Sequence, residues 1–172
     1  VAEGPLPDFL ERKELMAVIH QKLIEGGYVR VVWESYALPD DPMTKAFEER
    51  STWYAATGHQ PGGRVNYIAV GSSSKMNLGD DYYAQNFYDI HTWKTCLQKG
   101  KFPVFRGMKL NKDDSIRQHA TQHIKSFLGF KFKYFKENFN IDAKEYFKKE
   151  IEGLSEMIKD GIVEVTDTEI KL

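Results

Sequence analysis

Cysteine is almost missing from this chain: Cys96 stands alone among 172 residues. One thiol permits no internal disulfide, and it cannot supply the three or four thiolates that an iron–sulfur cluster or a structural zinc normally takes. Long apolar runs are missing too. None approaches the roughly 20 residues needed to cross a bilayer, and the opening Val1-Ala2-Glu3-Gly4-Pro5 has neither the basic flank nor the apolar stretch of a signal peptide. A cytoplasmic protein with no membrane partner is expected. An excess of either charge is also lacking, since 24 Lys and Arg meet 25 Asp and Glu for a formal net charge of -1. That balance calls for no polyanionic partner. Internal repeats and low-complexity segments are absent.

What is present is enough for a packed core, with 41% hydrophobic and 28% charged residues. Asp8 caps a predicted helix with apolar positions Phe9, Leu15, Met16, Ile19 and Leu23, ended by Gly26-Gly27. Tyr28 to Trp33 then reads as a strand covered on both faces, and helix followed by strand is what α/β proteins repeat. A short helix from Met43 to Arg50, a loop from Gly58 to Gly63 and a strand from Val65 to Val70 follow. Tyr88 to Lys99 reads as a helix broken by Gly100 and Pro103.

The remainder changes character, and a domain boundary is placed near Leu110, giving units 1–110 and 111–172. Asn111 or Asp113 caps a helix through Leu128, an aromatic stretch runs from Phe130 to Phe139, and Asp142 caps a further helix with the stripe Tyr146, Phe147, Ile151, Leu154 and Ile158. A hairpin closes the chain, Ile162 to Val165 and Glu169 to Leu172 around Asp167-Thr168. Helix, helix, helix, hairpin is the winged-helix order. The chain starts on a valine and stops inside this hairpin, so both ends read as cut.

The small-residue turn Gly71-Ser72-Ser73-Ser74 follows a predicted strand, where loops of parallel α/β sheets hold ligands; it is either such a loop or an ordinary tight turn. His119 and His123 stand four apart on a helix, a spacing that lets two imidazoles share a metal, but no third ligand is in view and no metal site is expected. His59 lies in a glycine-rich loop and is the better candidate for ligand contact, while His20 and His91 read as surface or packing residues. Lysines interleave with aromatics between Lys131 and Lys149 as on a nucleic-acid surface. Nearby acids offset them, and Glu164, Asp167 and Glu169 on the hairpin repel phosphate.

Four stretches resemble the C-terminal half of the oxygen-independent coproporphyrinogen III oxidases, a branch of the radical-SAM enzymes. They are Gly71-Ser72-Ser73-Ser74 running to Gly79-Asp80 and Tyr83-Ala84-Gln85-Asn86; Arg106-Gly107, Leu110, Asp113-Asp114 and Ile116-Arg117; Asn140-Ile141-Asp142 with Tyr146-Phe147; and Asp160-Gly161-Ile162-Val163. The fold class this implies is α+β: the last strands and helices of a radical-SAM partial (β/α) barrel, followed by a winged-helix-like domain with a terminal β-hairpin.

The resemblance implies a parent enzyme whose N-terminal half carries a 4Fe–4S cluster on CxxxCxxC and cleaves S-adenosylmethionine, leading to oxidative decarboxylation of coproporphyrinogen III propionates. This chain has none of those cysteines and would be inactive alone, its partners being that N-terminal half and a tetrapyrrole. The family's loop implies cofactor contacts at Gly71, Ser72, Ser73 and Lys75. At Lys75 a cation replaces the family's aliphatic contact; it can meet a carboxylate or stand solvated.

Substrate-side candidates are Tyr83, Gln85, Asn86, Arg106 and His59. Arg106 and Arg117 are expected to pair with Asp113 or Asp114 rather than with propionates. Thr52 to His59 departs from the family's pattern, which leaves open a haem-utilisation methyltransferase or a haem carrier. A winged helix on nucleic acid is the remaining alternative. The isolated fragment is expected to expose strand edges and to pair with its own copies.

Overall fold

The computed structural model describes residues 6–55, 58–62, 66–79 and 81–172. Val1 to Pro5, Ala56, Thr57, Gly63, Val65 and Asp80, which several expectations above include, lie outside the described residues. Helix α1, Phe9–Glu25, starts where predicted, because Asp8 and Glu11 form a reciprocal capping box. None of its residues is buried, and Phe9, Leu15, Met16 and Ile19 lie exposed. Strands β1 (Val29–Val32) and β2 (Ser35–Ala37) form a hairpin, so the segment from Tyr28 is half of a two-stranded ribbon and not a strand covered on both faces. Helix α2, Pro42–Glu48, is capped by Asp41 with proline in its first turn.

Strands β3 (Trp53–Ala55) and β4 (Gly58–Gln60) pair next, turning part of the predicted loop into a hairpin. The strand expected over Val65 to Val70 is not formed among the described residues; 66–70 contribute only an isolated bridge, Tyr67 to Asn77. The sheet lies immediately after it instead, in β5 (Lys75–Leu78), β6 (Tyr82–Asn86) and, beyond helix α3 (Ile90–Gln98), β7 (Val104–Lys109). Their order is β5-β6-β7, antiparallel throughout. Every strand pair among the described residues is antiparallel and no closed barrel forms. The β1–β2, β3–β4, β5–β6 and β9–β10 pairs are joined by short connections, which permit only antiparallel pairing.

The C-terminal region holds the main core. Helix α4 (Lys112–Phe127) opens on an Asn111–Asp114 capping box. After it come β8 (Gly129–Lys131), α5 (Phe132–Phe139), α6 (Ala143–Tyr146), α7 (Lys148–Glu152) and α8 (Ser155–Lys159), then β9 (Glu164–Val165) and β10 (Glu169–Lys171). The single helix expected after Asp142 is three short ones, broken at Phe147 and at Gly153-Leu154. The terminal hairpin forms as read, and β8 adds to it in the order β8-β10-β9. Ile116, Ala120, Phe130, Phe135, Phe147, Val163 and Ile170 close the core, with Phe130, Phe135 and Phe147 in mutual ring contact at 5.0 to 5.6 Å.

Gly129 fixes how β8 enters that sheet. Its φ is +153° and a Cβ there would sit 2.1 Å from the Ile170 carbonyl oxygen. Gly129→Ala is therefore expected to cost more than about 2 kcal/mol by forcing β8 from β10. Phe135→Ala, at a fully buried position, should cost about 3–5 kcal/mol. Urea unfolding of both variants beside the parent chain measures these losses.

Candidate functional site

The Gly71 to Lys75 turn is built from positive-φ backbone at Gly71 and Ser73, followed at once by β5. A non-glycine residue at φ +57° such as Ser73 carries strain, so the turn needs outside support. Most of that support comes from the end of β6. The buried Asn86 amide donates to the Gly71 carbonyl at 2.9 Å and to Ser74 Oγ at 3.2 Å, while its own N–H bonds the Ser74 carbonyl. Ser73 N–H donates to the Phe87 carbonyl, and Gln85 Nε2 to the Ser73 carbonyl at 3.1 Å. The expected turn is present, but it leads into an antiparallel strand and does not sit at the end of a parallel one.

A cleft of about 620 Å³ opens beside the turn. Ser72, Ser73 and Lys75 line it together with Tyr67, Val70 and, from the β3–β4 hairpin, Ala55 and Gln60. Register puts Lys75 opposite Gln85 and Gln85 opposite Arg106, so these three share one face of the sheet, with Asn77, Tyr83 and Met108 in the next row. Arg106 donates from Nε and Nη2 to Gln85 Oε1 at 3.0 and 2.7 Å. The expected pairing of Arg106 with Asp113 or Asp114 is thus corrected: those acids belong to the start of α4, whereas Arg106 lies mid-strand in β7.

Arg117 does pair with Asp113, at 2.9 Å, and bridges to Glu150 at 2.6 Å. Asp113 also accepts from the Tyr146 hydroxyl, which with Arg117 holds its carboxyl below the usual range. This network staples α4 to the short helices and takes no part in the cleft. His59 is also away from the turn: its ring packs on Tyr54 at 5.0 Å, in a second depression lined by Tyr28, Ser35 and Met43. Burial holds its pKa below that of a free imidazole. His20 meets the Tyr36 hydroxyl at 2.7 Å, and His91 is exposed on α3.

His119 and His123 both pack on Tyr134. His119 Nδ1 bonds the Tyr134 hydroxyl at 2.6 Å, and the His123 ring lies tilted against the Tyr134 ring with centroids 4.1 Å apart. No group of three or more His, Cys, Asp or Glu side chains that could hold a metal occurs among the described residues. What sequence reading missed is Gln122, whose amide bonds both the N–H and the carbonyl of Tyr54 at 2.9 and 3.1 Å and so closes the free edge of β3. No local pattern flags that contact, because its partners lie 68 residues apart.

No family model matches the chain. Among curated proteins it is similar to the oxygen-independent coproporphyrinogen III oxidases of Pseudomonas aeruginosa, 27% identical over 92% of this chain and 34% of the relative, and of Helicobacter pylori strain 26695, 26% identical over 95% and 35%. Among solved structures, the Escherichia coli coproporphyrinogen III oxidase, described as a radical-SAM enzyme, superposes on the whole chain and on 39% of its own length, at a TM-score of 0.87 and 22% identity. The chain has the fold of the C-terminal part of that oxidase. It spans about a third of the length of the curated coproporphyrinogen III oxidases it matches. The four stretches singled out in the sequence thus mark a likeness to the oxidases that runs through nearly the whole chain.

Two outcomes follow from this geometry. Asn86→Ala removes both donors to the turn and should cost about 1–3 kcal/mol, with faster amide exchange confined to residues 71–75 and β5. Burial pushes the His123 pKa down to about 4, ahead of smaller contributions from Arg50 and His119. The unfolded chain, titrating near 6.5, then binds the proton first, so this stability is full above about pH 6.5 and is lost as pH falls towards 4. Unfolding free energies between pH 4 and 7 should fall with acidification, by at most about 1.4 kcal/mol per pH unit, and His123→Phe should flatten that slope.

Proposed function

We propose that this chain is the C-terminal segment of a radical-SAM tetrapyrrole enzyme that decarboxylates coproporphyrinogen III propionates, supplying walls of the substrate and S-adenosylmethionine pocket. The observation that carries it is the superposition of the entire chain on the C-terminal part of a coproporphyrinogen III oxidase, with curated relatives of the same name. The donor set here does not fit a 4Fe–4S cluster: Cys96 is the one cysteine, and no three metal-ligating side chains converge among the described residues. The cluster and the S-adenosylmethionine beside it would belong to an N-terminal radical-SAM half. The exposed apolar residues of α1 are what such a half would cover.

Within the chain, Gly71, Ser72 and Ser73 would face the cofactor, Lys75 a carboxylate of the cofactor or of the substrate, and Tyr83, Gln85 and Arg106 the substrate. Asn86 serves by fixing the turn, and His59 would act on the second depression. A boundary near Leu110 would divide a barrel-associated segment, 1–110, from a winged-helix-like unit, 111–172, whose helices α4 to α8 precede the β9–β10 hairpin. No helix among the described residues is long and apolar enough to cross a membrane.

The test is an anaerobic assay of the full polypeptide with coproporphyrinogen III, S-adenosylmethionine and a reductant. Formation of 5′-deoxyadenosine together with loss of carbon dioxide from the tetrapyrrole is expected. Cofactor cleavage with an unchanged tetrapyrrole would replace the oxidase by a haem carrier, and a full polypeptide without a CxxxCxxC cluster would end the reading.

A further inference from the structure

We propose that Lys75 and Arg106 form a two-cation reader of carboxylates at the rim of the cleft, and that it takes an apolar ring system bearing two carboxylates on the order of 10 Å apart. The inference rests on the tetrapyrrole reading above and names the substrate groups this chain would hold. Lys75, Gln85 and Arg106 form one cross-strand row, and residues directly opposite on paired strands share a face. Two strand spacings set the cations about 10 Å apart at the backbone.

Gln85 holds one of them in place. Its Oε1 takes two guanidinium N–H groups of Arg106 while its Nε2 is tied to the Ser73 carbonyl, so the guanidinium is held beside the turn that lines the cleft. Three of the five Arg106 N–H donors remain for a ligand, enough for a bidentate carboxylate. Neither Lys75 nor Arg106 has an ion-pair partner among the described residues, so no internal carboxylate competes with a ligand for them. In a chain whose acids outnumber its bases, two neighbouring unpaired cations make a local positive site that the composition as a whole does not foretell.

The walls narrow the ligand class. Tyr67, Ile68, Val70 and Ala55 suit an apolar ring, with the cations left at its edge for acidic substituents. A consequence concerns turnover: decarboxylation destroys one of the groups that such a row would grip, so substrate would be held more tightly than product.

The experiment compares coproporphyrin III with its tetramethyl ester, both titrated by fluorescence against the full polypeptide and against its Lys75→Met, Arg106→Gln and Gln85→Glu variants. Each variant should weaken coproporphyrin binding about tenfold, the size of one lost charge-assisted contact. The first two remove a cation and the third places an internal anion between them. Ester binding, which needs no cation, should be equal in all four proteins. Unchanged coproporphyrin affinity in the variants, or equal loss for acid and ester, would overturn the two-cation reader and leave the tetrapyrrole reading standing. Failure of the parent polypeptide to bind either compound would remove the tetrapyrrole reading and this inference with it.

Discussion

Helix α4 is the member on which the other elements hang. One face of it, through Ile116 and Ala120, closes the aromatic core with Phe130, Phe135 and Phe147. Another face carries His119, against which Trp53 sets its ring edge at 5.2 Å, and Gln122, which bonds the exposed backbone of Tyr54. Its N-terminal cap follows directly on β7, and Gln118 faces Asn77 of β5. A helix of 16 residues thus touches the hairpin, the three-stranded sheet and the C-terminal core at once. Because β3 and β4 help to line the cleft, packing of α4 in the core sets the position of a cleft wall.

The turn is held by a different economy. Backbone in the left-handed region at Ser73 is unfavourable alone, yet five hydrogen bonds with Gln85, Asn86 and their neighbour Phe87 hold Gly71, Ser73 and Ser74. Alternate residues of β6 divide the labour. Asn86 points inward and is buried, with both hydrogens of its amide used on the turn and its Oδ1 left without a hydrogen-bond partner. Gln85 stays at the surface and joins the turn to Arg106. A single strand therefore fixes both the shape of the loop and the placement of charge beside it.

Much of this was legible from residue patterns, and the failures have a common physical origin. Asp8, Asn111 and Asp142 announced helix starts because capping is a local interaction within three residues. The terminal hairpin was legible for the same reason. The sheet β5-β6-β7 was not: β5 alternates polar and apolar only over the four residues Lys75-Met76-Asn77-Leu78, and in β6 and β7 Tyr83 and Met108 share the polar face of Gln85 and Arg106 while Gly107 and Lys109 lie on the other. The stretch 66–70 misled in the opposite sense, since Ile68 and Val70 are strand-formers left at 76% and 91% exposure. Of the site, the turn was readable from its small residues, and Lys75, Tyr83, Gln85, Asn86 and Arg106 came from the resemblance. That Lys75, Gln85 and Arg106 share a row depended on register, which sequence spacing does not specify.

The stretch 66–70 and helix α1 point the same way. The helix has caps, helical periodicity and an apolar stripe, every local mark of an element that packs, and yet it buries nothing. Local signals encode the structure an element adopts, but burial requires a second surface. A chain this size with Leu6, Phe9, Leu10, Ile68, Val70 and Phe102 at 65% exposure or more carries more apolar surface than its own core consumes. The single cysteine states the same division chemically: the residues that shape a cleft are here, and the donors that a reactive cluster requires are not. Apolar patterning and ligand chemistry are independent properties of a sequence. Both leave a remainder in this chain.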